Sequence, residues 1–175
     1  MQLIRIGDKV INKDRIFQVV GRILELRASG LSQQEVAEQL DIDRTMVSRL
    51  ETIGEIRKGK KIALAGFPIK NKDELTAIAE AEGLDFVLLM TESERLAFAR
   101  SQNGADLINM LMKLIARARE CDAVIFIGSD HRVGMVEALV GPHTIGIEIG
   151  SSPLHEDKYV DPDAIRDLIR SLRQS

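Results

Sequence analysis

Tryptophan is absent from this chain and tyrosine occurs once; with five phenylalanines, aromatic residues make up only 3% of 175 positions. Aliphatic side chains therefore have to build any core. The single cysteine, Cys121, excludes an internal disulfide, which fits a reducing cytoplasm. No Cys/His cluster has zinc spacing, so no metal site is expected. No stretch approaches the ~18 consecutive apolar residues of a membrane-spanning helix, so no membrane partner is expected. The start MQLIRIGDKV lacks the long apolar run behind a basic patch that marks a secretory signal. Neither a P-loop nor G-x-G-x-x-G is present, so no cofactor is expected, and there is no G-x-S-x-G elbow.

What is present is 45% hydrophobic residues and 29% charged ones, in a chain long enough for one medium domain or a small and a medium one. The net charge of −3 hides an asymmetry. Residues 1–61 hold 12 Lys and Arg against 9 Asp and Glu, and residues 62–175 hold 12 against 18. A locally basic face is what phosphate contact requires, and an acidic remainder limits non-specific attraction to nucleic acid.

The basic part contains the most informative stretch, SQQEVAEQLDIDRTMVSRLE at 32–51. Ser32 and Glu35 have the S-x-x-E spacing of a capping box, and Leu31 and Val36 that of a hydrophobic staple. Val36, Ala37 and Leu40 form the inward face of a short helix, with Ala37 small where helices cross. Asp41-Ile42-Asp43 reads as a turn, with Asp43 as N-cap of the next helix. Val47 and Leu50 face inward from that helix, which leaves Arg44, Thr45, Ser48 and Arg49 outward. Upstream, Asn12 caps a helix over Lys13–Ala28, with Ile16, Val19, Val20, Ile23 and Leu24 at helical spacing and Gly30 at its C-terminal end. Residues 3–11 alternate weakly, as a short strand or an irregular arm.

The run Q-x-V-A-x-x-L-x-I-x-R-x-x-V-S-R-L-E at Gln34–Glu51 resembles the helix-turn-helix transcriptional regulators of the lambda-repressor/Xre-like type. The likeness covers about an eighth of the chain. It departs from the family at Asp41, where glycine is usual; Asp tolerates the left-handed region better than most residues. The resemblance implies groove contacts from Arg44, Thr45, Ser48 and Arg49, and backbone contacts from Gln33 and Gln34 at the start of the preceding helix. After that helix, Arg57, Lys58 and Lys60 belong to the densest basic cluster in the chain. The segment is a linker or a wing-like hairpin (strands near 55–57 and 60–65), and the cluster fits phosphate contact and a solvated linker equally.

From residue 61 strands and helices alternate. KIALAGF (61–67), Phe86–Met90 and Ala123–Ile127 are continuous apolar runs suited to strands covered on both faces. Thr144–Ile149 alternates and belongs nearer a sheet edge. Helices are expected over 72–82, in a block over 92–120 interrupted at Asn103-Gly104, from Asp130 to about Leu139, and after Asp161 with Pro162 in first place. Leu107, Ile108, Leu111, Met112, Leu114 and Ile115 form a stripe wide enough to be buried. The fold class is α/β: an all-helical helix-turn-helix domain over 1–60, then a Rossmann-like parallel α/β sandwich of about four strands over 61–175. Ligands of such sheets sit beyond the strand carboxyl ends. There Ser129, Asp130 and Arg132 form the most polar cluster, a candidate anion or effector site. Adjacency of Ser129, Asp130 and His131 does not make a catalytic triad.

The expectation is a DNA-binding transcriptional regulator, not an enzyme. Its partner is double-stranded DNA, bound by a homodimer, and its second domain dimerises, senses a small-molecule effector, or does both. The alternative is an α/β enzyme tethered to a DNA-binding or protein-interaction module.

Overall fold

The computed structural model describes residues 2–55, 59–101 and 103–173. The chain divides into two compact units, residues 1–55 and 56–175. No helix among the described residues is long and apolar enough to cross a membrane.

The first unit opens with an antiparallel hairpin of β1 (Leu3–Ile6) and β2 (Lys9–Asn12), joined through Gly7-Asp8. Gly7 has a φ of +58°, which a two-residue hairpin loop requires at its first position and which glycine adopts without penalty. The unit is thus not all-helical. The weak alternation of residues 3–11 is two strands rather than one, because Gly7 reverses the chain midway.

Three helices follow: α1 (Lys13–Ala28), α2 (Gln33–Leu40) and α3 (Arg44–Gly54). The Asn12 side-chain oxygen accepts from the Arg15 amide at 3.2 Å and starts α1. Ser32 caps α2 in both directions: its hydroxyl accepts from the Glu35 amide, and its own amide donates to the Glu35 carboxylate at 2.7 Å. Asp43 caps α3 by accepting from the Thr45 amide at 2.6 Å. Ile23, Leu26, Val36, Ala37 and Val47 are buried together, with Val19, Leu31, Leu40, Ile42 and Leu50 packed around them. Each fully buried aliphatic side chain contributes about 1.5–3 kcal/mol. The inward stripe of α1 is rotated from the expected one: Leu26 is buried, whereas Ile16 and Leu24 are exposed.

The second unit is built on a parallel four-stranded sheet in the order β4-β3-β5-β6, from β3 (Ile62–Gly66), β4 (Phe86–Leu89), β5 (Ala123–Gly128) and β6 (Thr144–Glu148). Among the described residues β3 pairs with β4 and β5; the expected wing strand near 55–57 lies largely outside the described residues. The helices are α4 (Lys72–Ala81), α5 (Glu92–Ser101), α6 (Gly104–Arg119), α7 (Asp130–Val140) and α8 (Pro162–Arg173). Side chains alternate across the strands. Ile62 and Leu64 of β3 and Ile125 and Ile127 of β5 pack with Leu75 and Ile78 of α4 and Ile165 and Ile169 of α8. On the opposite face Ala63 and Val124 meet Ala118 of α6 and Val140 of α7. Gly66 is fixed by close packing, since a Cβ there would lie 2.7 Å from the Ile127 carbonyl oxygen of β5.

The two faces are filled unequally. Ile108 and Met112 of α6 are each 62% exposed, and Leu111 is exposed beside them. Leu107, Leu114 and Ile115 are half-buried, and Ala118 is the one buried residue of that helix. The wide apolar stripe of α6 is therefore not buried as its width suggested. The helix touches the sheet along one edge of its stripe, and the rest faces outward.

Candidate functional site

The geometry of α3 begins at Asp41. This residue ends α2 in the left-handed region (φ +52°, ψ +51°), and Ile42 packs beneath it into the core. The turn sets α3 against α2 through Val36, Ala37 and Val47. A second link is polar. Glu51 of α3 accepts from Arg27 of α1, and also from the Gln33 side-chain amide of α2 at 2.7 Å. Arg27 also donates to the Leu31 carbonyl, so one guanidinium ties α1 to α3 and to the loop ahead of α2. The Arg27 and then the Gln33 hydrogen bonds hold the Glu51 carboxyl below its usual range.

With Val47, Leu50 and Glu51 turned inward, the opposite side of α3 carries Thr45, Ser48 and Arg49, with Arg44 at its first turn. Arg44, Thr45 and Arg49 are exposed and Ser48 is half-buried. Neither Arg44 nor Arg49 has a hydrogen-bonded partner among the described residues. Asp43 is held below the ordinary carboxylate range by the Thr45 hydroxyl and amide, with a smaller contribution from the Arg49 charge. One residue of this ridge was overlooked in the sequence. Thr52 is exposed one turn beyond Ser48, and its hydroxyl donates to the Ser48 carbonyl at 3.0 Å. The spacing 45-48-49-52 is helical and was sufficient to find it.

The other expected contacts are distributed differently. Gln33 is half-buried with its amide engaged by Glu51, so it braces α2 on α3 rather than standing free. Gln34 is exposed and donates along its own helix to Glu38 at 2.7 Å. Lys60 is exposed ahead of β3. Arg57 and Lys58 lie outside the described residues.

In the second unit the strand order reverses between β3 and β5, whose carboxyl ends are Gly66-Phe67 and Gly128-Ser129. Ser129, Asp130 and Arg132 do not converge there. Ser129 is fully buried with its hydroxyl unbonded. Asp130 is exposed, and its carboxylate accepts from the His131 and Ser152 amides at 2.7 and 2.8 Å. Those two bonds lower its pKa, and an oxygen committed to a helix start is not an anion receptor. Arg132 alone turns inward, onto a cavity of about 510 Å³ under α6. Its guanidinium lies 5.0 Å from the centre of the Phe67 ring, which meets Phe126 edge-on at 5.8 Å. Arg95 of α5 approaches the same ring at 5.8 Å and is gripped by Glu92 in a two-pronged pair at 2.9 and 2.5 Å. Arg95 stands 37 positions from Arg132 on another helix, so no local spacing in the sequence links them. Cys121 is buried, and burial pushes its thiol up, which suits a packed rather than a reactive group.

Comparisons with protein-family models, characterised proteins and solved structures find no match for this chain.

Proposed function

We propose that the protein is a sequence-specific DNA-binding transcriptional regulator. In this reading α2 and α3 are a helix-turn-helix pair, with α3 entering the major groove. The second unit is a Rossmann-like domain that dimerises and senses a ligand. The observation that carries the reading is the outward ridge of α3. Two guanidinium groups without bonded partners among the described residues flank Thr45 and Ser48 on a helix whose opposite side is locked into a packed core. A rigid mount with free Arg side chains is what base-edge recognition needs, because Arg reads guanine through two parallel hydrogen bonds.

A single module of this kind makes a small interface, so two copies on half-sites about 34 Å apart are expected. The exposed apolar stripe of α6 supports self-association, since a patch of this kind is buried in most assemblies. Nothing favours the tethered enzyme over this reading. Ser129, the nearest approach to a nucleophile, has no hydrogen-bonded base at its hydroxyl.

The test is fluorescence anisotropy on duplex DNA at several salt concentrations. Affinity is expected to fall steeply with salt as phosphate counterions are released. Arg44→Ala and Arg49→Ala are each expected to weaken the preferred site by about 1–3 kcal/mol and to relax its sequence preference. A flat salt dependence, or site preference retained in the double variant, contradicts the proposal.

A further inference from the structure

The cavity under α6 combines two properties that oppose each other when it is empty. Its body is apolar. Ala65 and Phe126 of the sheet form its floor, Leu111 and Ile115 of α6 its roof, and Phe98 and Met135 its sides. Ala65, facing the cavity from β3, is small enough to leave the space open, and it remains half-exposed although it sits on an inner strand. At about 510 Å³ the space matches sites for small organic ligands.

One end of this apolar space carries a guanidinium with no ion pair of its own among the described residues. The Arg132 Nη1 atom is shielded from water and has no hydrogen-bond partner. Among the described residues Glu92 is the carboxylate acting on Arg132, and Glu92 is already occupied by Arg95. Arg95 and Arg132 against Glu92 leave the local balance of these three groups positive. Burial, then the like charge of Arg95, push the Arg132 pKa down, with Glu92 opposing. Arginine nonetheless stays charged in proteins. A water-shielded donor left open on a charged guanidinium is costly, and an anion in two-pronged contact removes that cost.

We propose that the second unit binds a small amphipathic anion, with its apolar body in the cavity beneath α6 and its carboxylate or phosphate on the Arg132 guanidinium. The Phe67 ring lies beside that guanidinium, and the Arg95–Glu92 pair stands against the same ring. The inference names the ligand class of the sensing domain and rests on the regulator reading only for its consequence: α6 roofs the cavity and also carries the exposed apolar stripe, so occupancy is coupled to assembly.

Calorimetric titration of the full chain, without DNA, with decanoate, decyl phosphate and decan-1-ol tests it. At least one of the two anions is expected to bind tenfold or more tightly than the alcohol, and which of them does so identifies the head group. Arg132→Gln is expected to abolish that preference, leave the alcohol unchanged, and raise the melting temperature of the unliganded protein by relieving the unmatched charge. Ala65→Ile fills the floor and is expected to weaken all three ligands. Equal binding of anion and alcohol by the unmodified chain overturns the proposal without reference to any variant. Failure of all three ligands to bind the folded chain, or an anion preference that survives Arg132→Gln, overturns it as well. The Arg44→Ala/Arg49→Ala protein is expected to bind the anion normally, so loss of the DNA reading and loss of this one are separate results.

Discussion

Asp41 meets the strictest conformational demand in the first unit. It is the one non-glycine residue with positive φ among the described residues, and it stands where α2 must turn into α3. A side chain in the left-handed region is disfavoured, less so for Asp than for most. Asp41→Gly is therefore expected to stabilise α2 and α3 by about 0.5–1 kcal/mol, read as slower amide exchange in those helices. Faster exchange contradicts this account of the turn. Ala37 makes the opposite demand, for small volume. It is 4% exposed within the three-helix core, and Ala37→Leu is expected to destabilise the unit by about 1–3 kcal/mol through overpacking. Both residues were legible in the sequence because their requirements are local. The role of Arg132 was only half legible: its place near a strand end follows from alternation, but its turn into the cavity depends on Phe67 and Arg95, which are remote in sequence.

At the scale of elements, caps and breaks were the readable signals. Asn12, Ser32, Asp43 and Asn103 each accept a backbone hydrogen bond at a helix start. Asp161 accepts from the Asp163 amide at the start of α8. Periodicity was less reliable, since it finds an apolar stripe but not what covers it. In α1 it missed Leu26, and in α6 it took an outward stripe for a buried one. The hairpin lay between two readings, a short strand and an irregular arm, because the alternation is weak and Gly7 reverses the chain midway. Polar ties between elements have a pH signature. Glu35 is held below its ordinary pKa by the Ser32 amide and then the Ser32 hydroxyl, and Glu51 by Arg27 and then Gln33. Each folded value lies below the unfolded one, so the stabilisation is complete above the unfolded pKa of about 4.3 and fades as pH falls through the folded values. Glu51→Gln is expected to melt below the unmodified chain at pH 7, with the difference shrinking toward pH 3. Helix melts followed by circular dichroism across that range check it, and a difference independent of pH assigns Glu51 a purely steric role.

For the molecule as a whole, charge and exposed apolar surface divide the labour. Basic residues outnumber acidic ones over 1–61 and the reverse holds over 62–175, which confines attraction for phosphate to the part that carries α3. The α6 stripe belongs to the acidic part. If the proposed self-association runs through this stripe, the joint replacement Ile108→Glu and Met112→Glu is expected to lower the sedimentation coefficient to that of a monomer at micromolar concentration. An unchanged sedimentation coefficient contradicts assembly through the stripe. The central claim is that the ridge of Arg44, Thr45, Ser48 and Arg49 reads duplex DNA. Selection of bound fragments from a genomic DNA library by the full-length protein, run in parallel with the Arg44→Ala/Arg49→Ala variant, tests it most directly. The account predicts one enriched motif with two-fold related halves for the unmodified protein and no enriched motif for the variant. The same motif recovered with both proteins, or none with either, contradicts it.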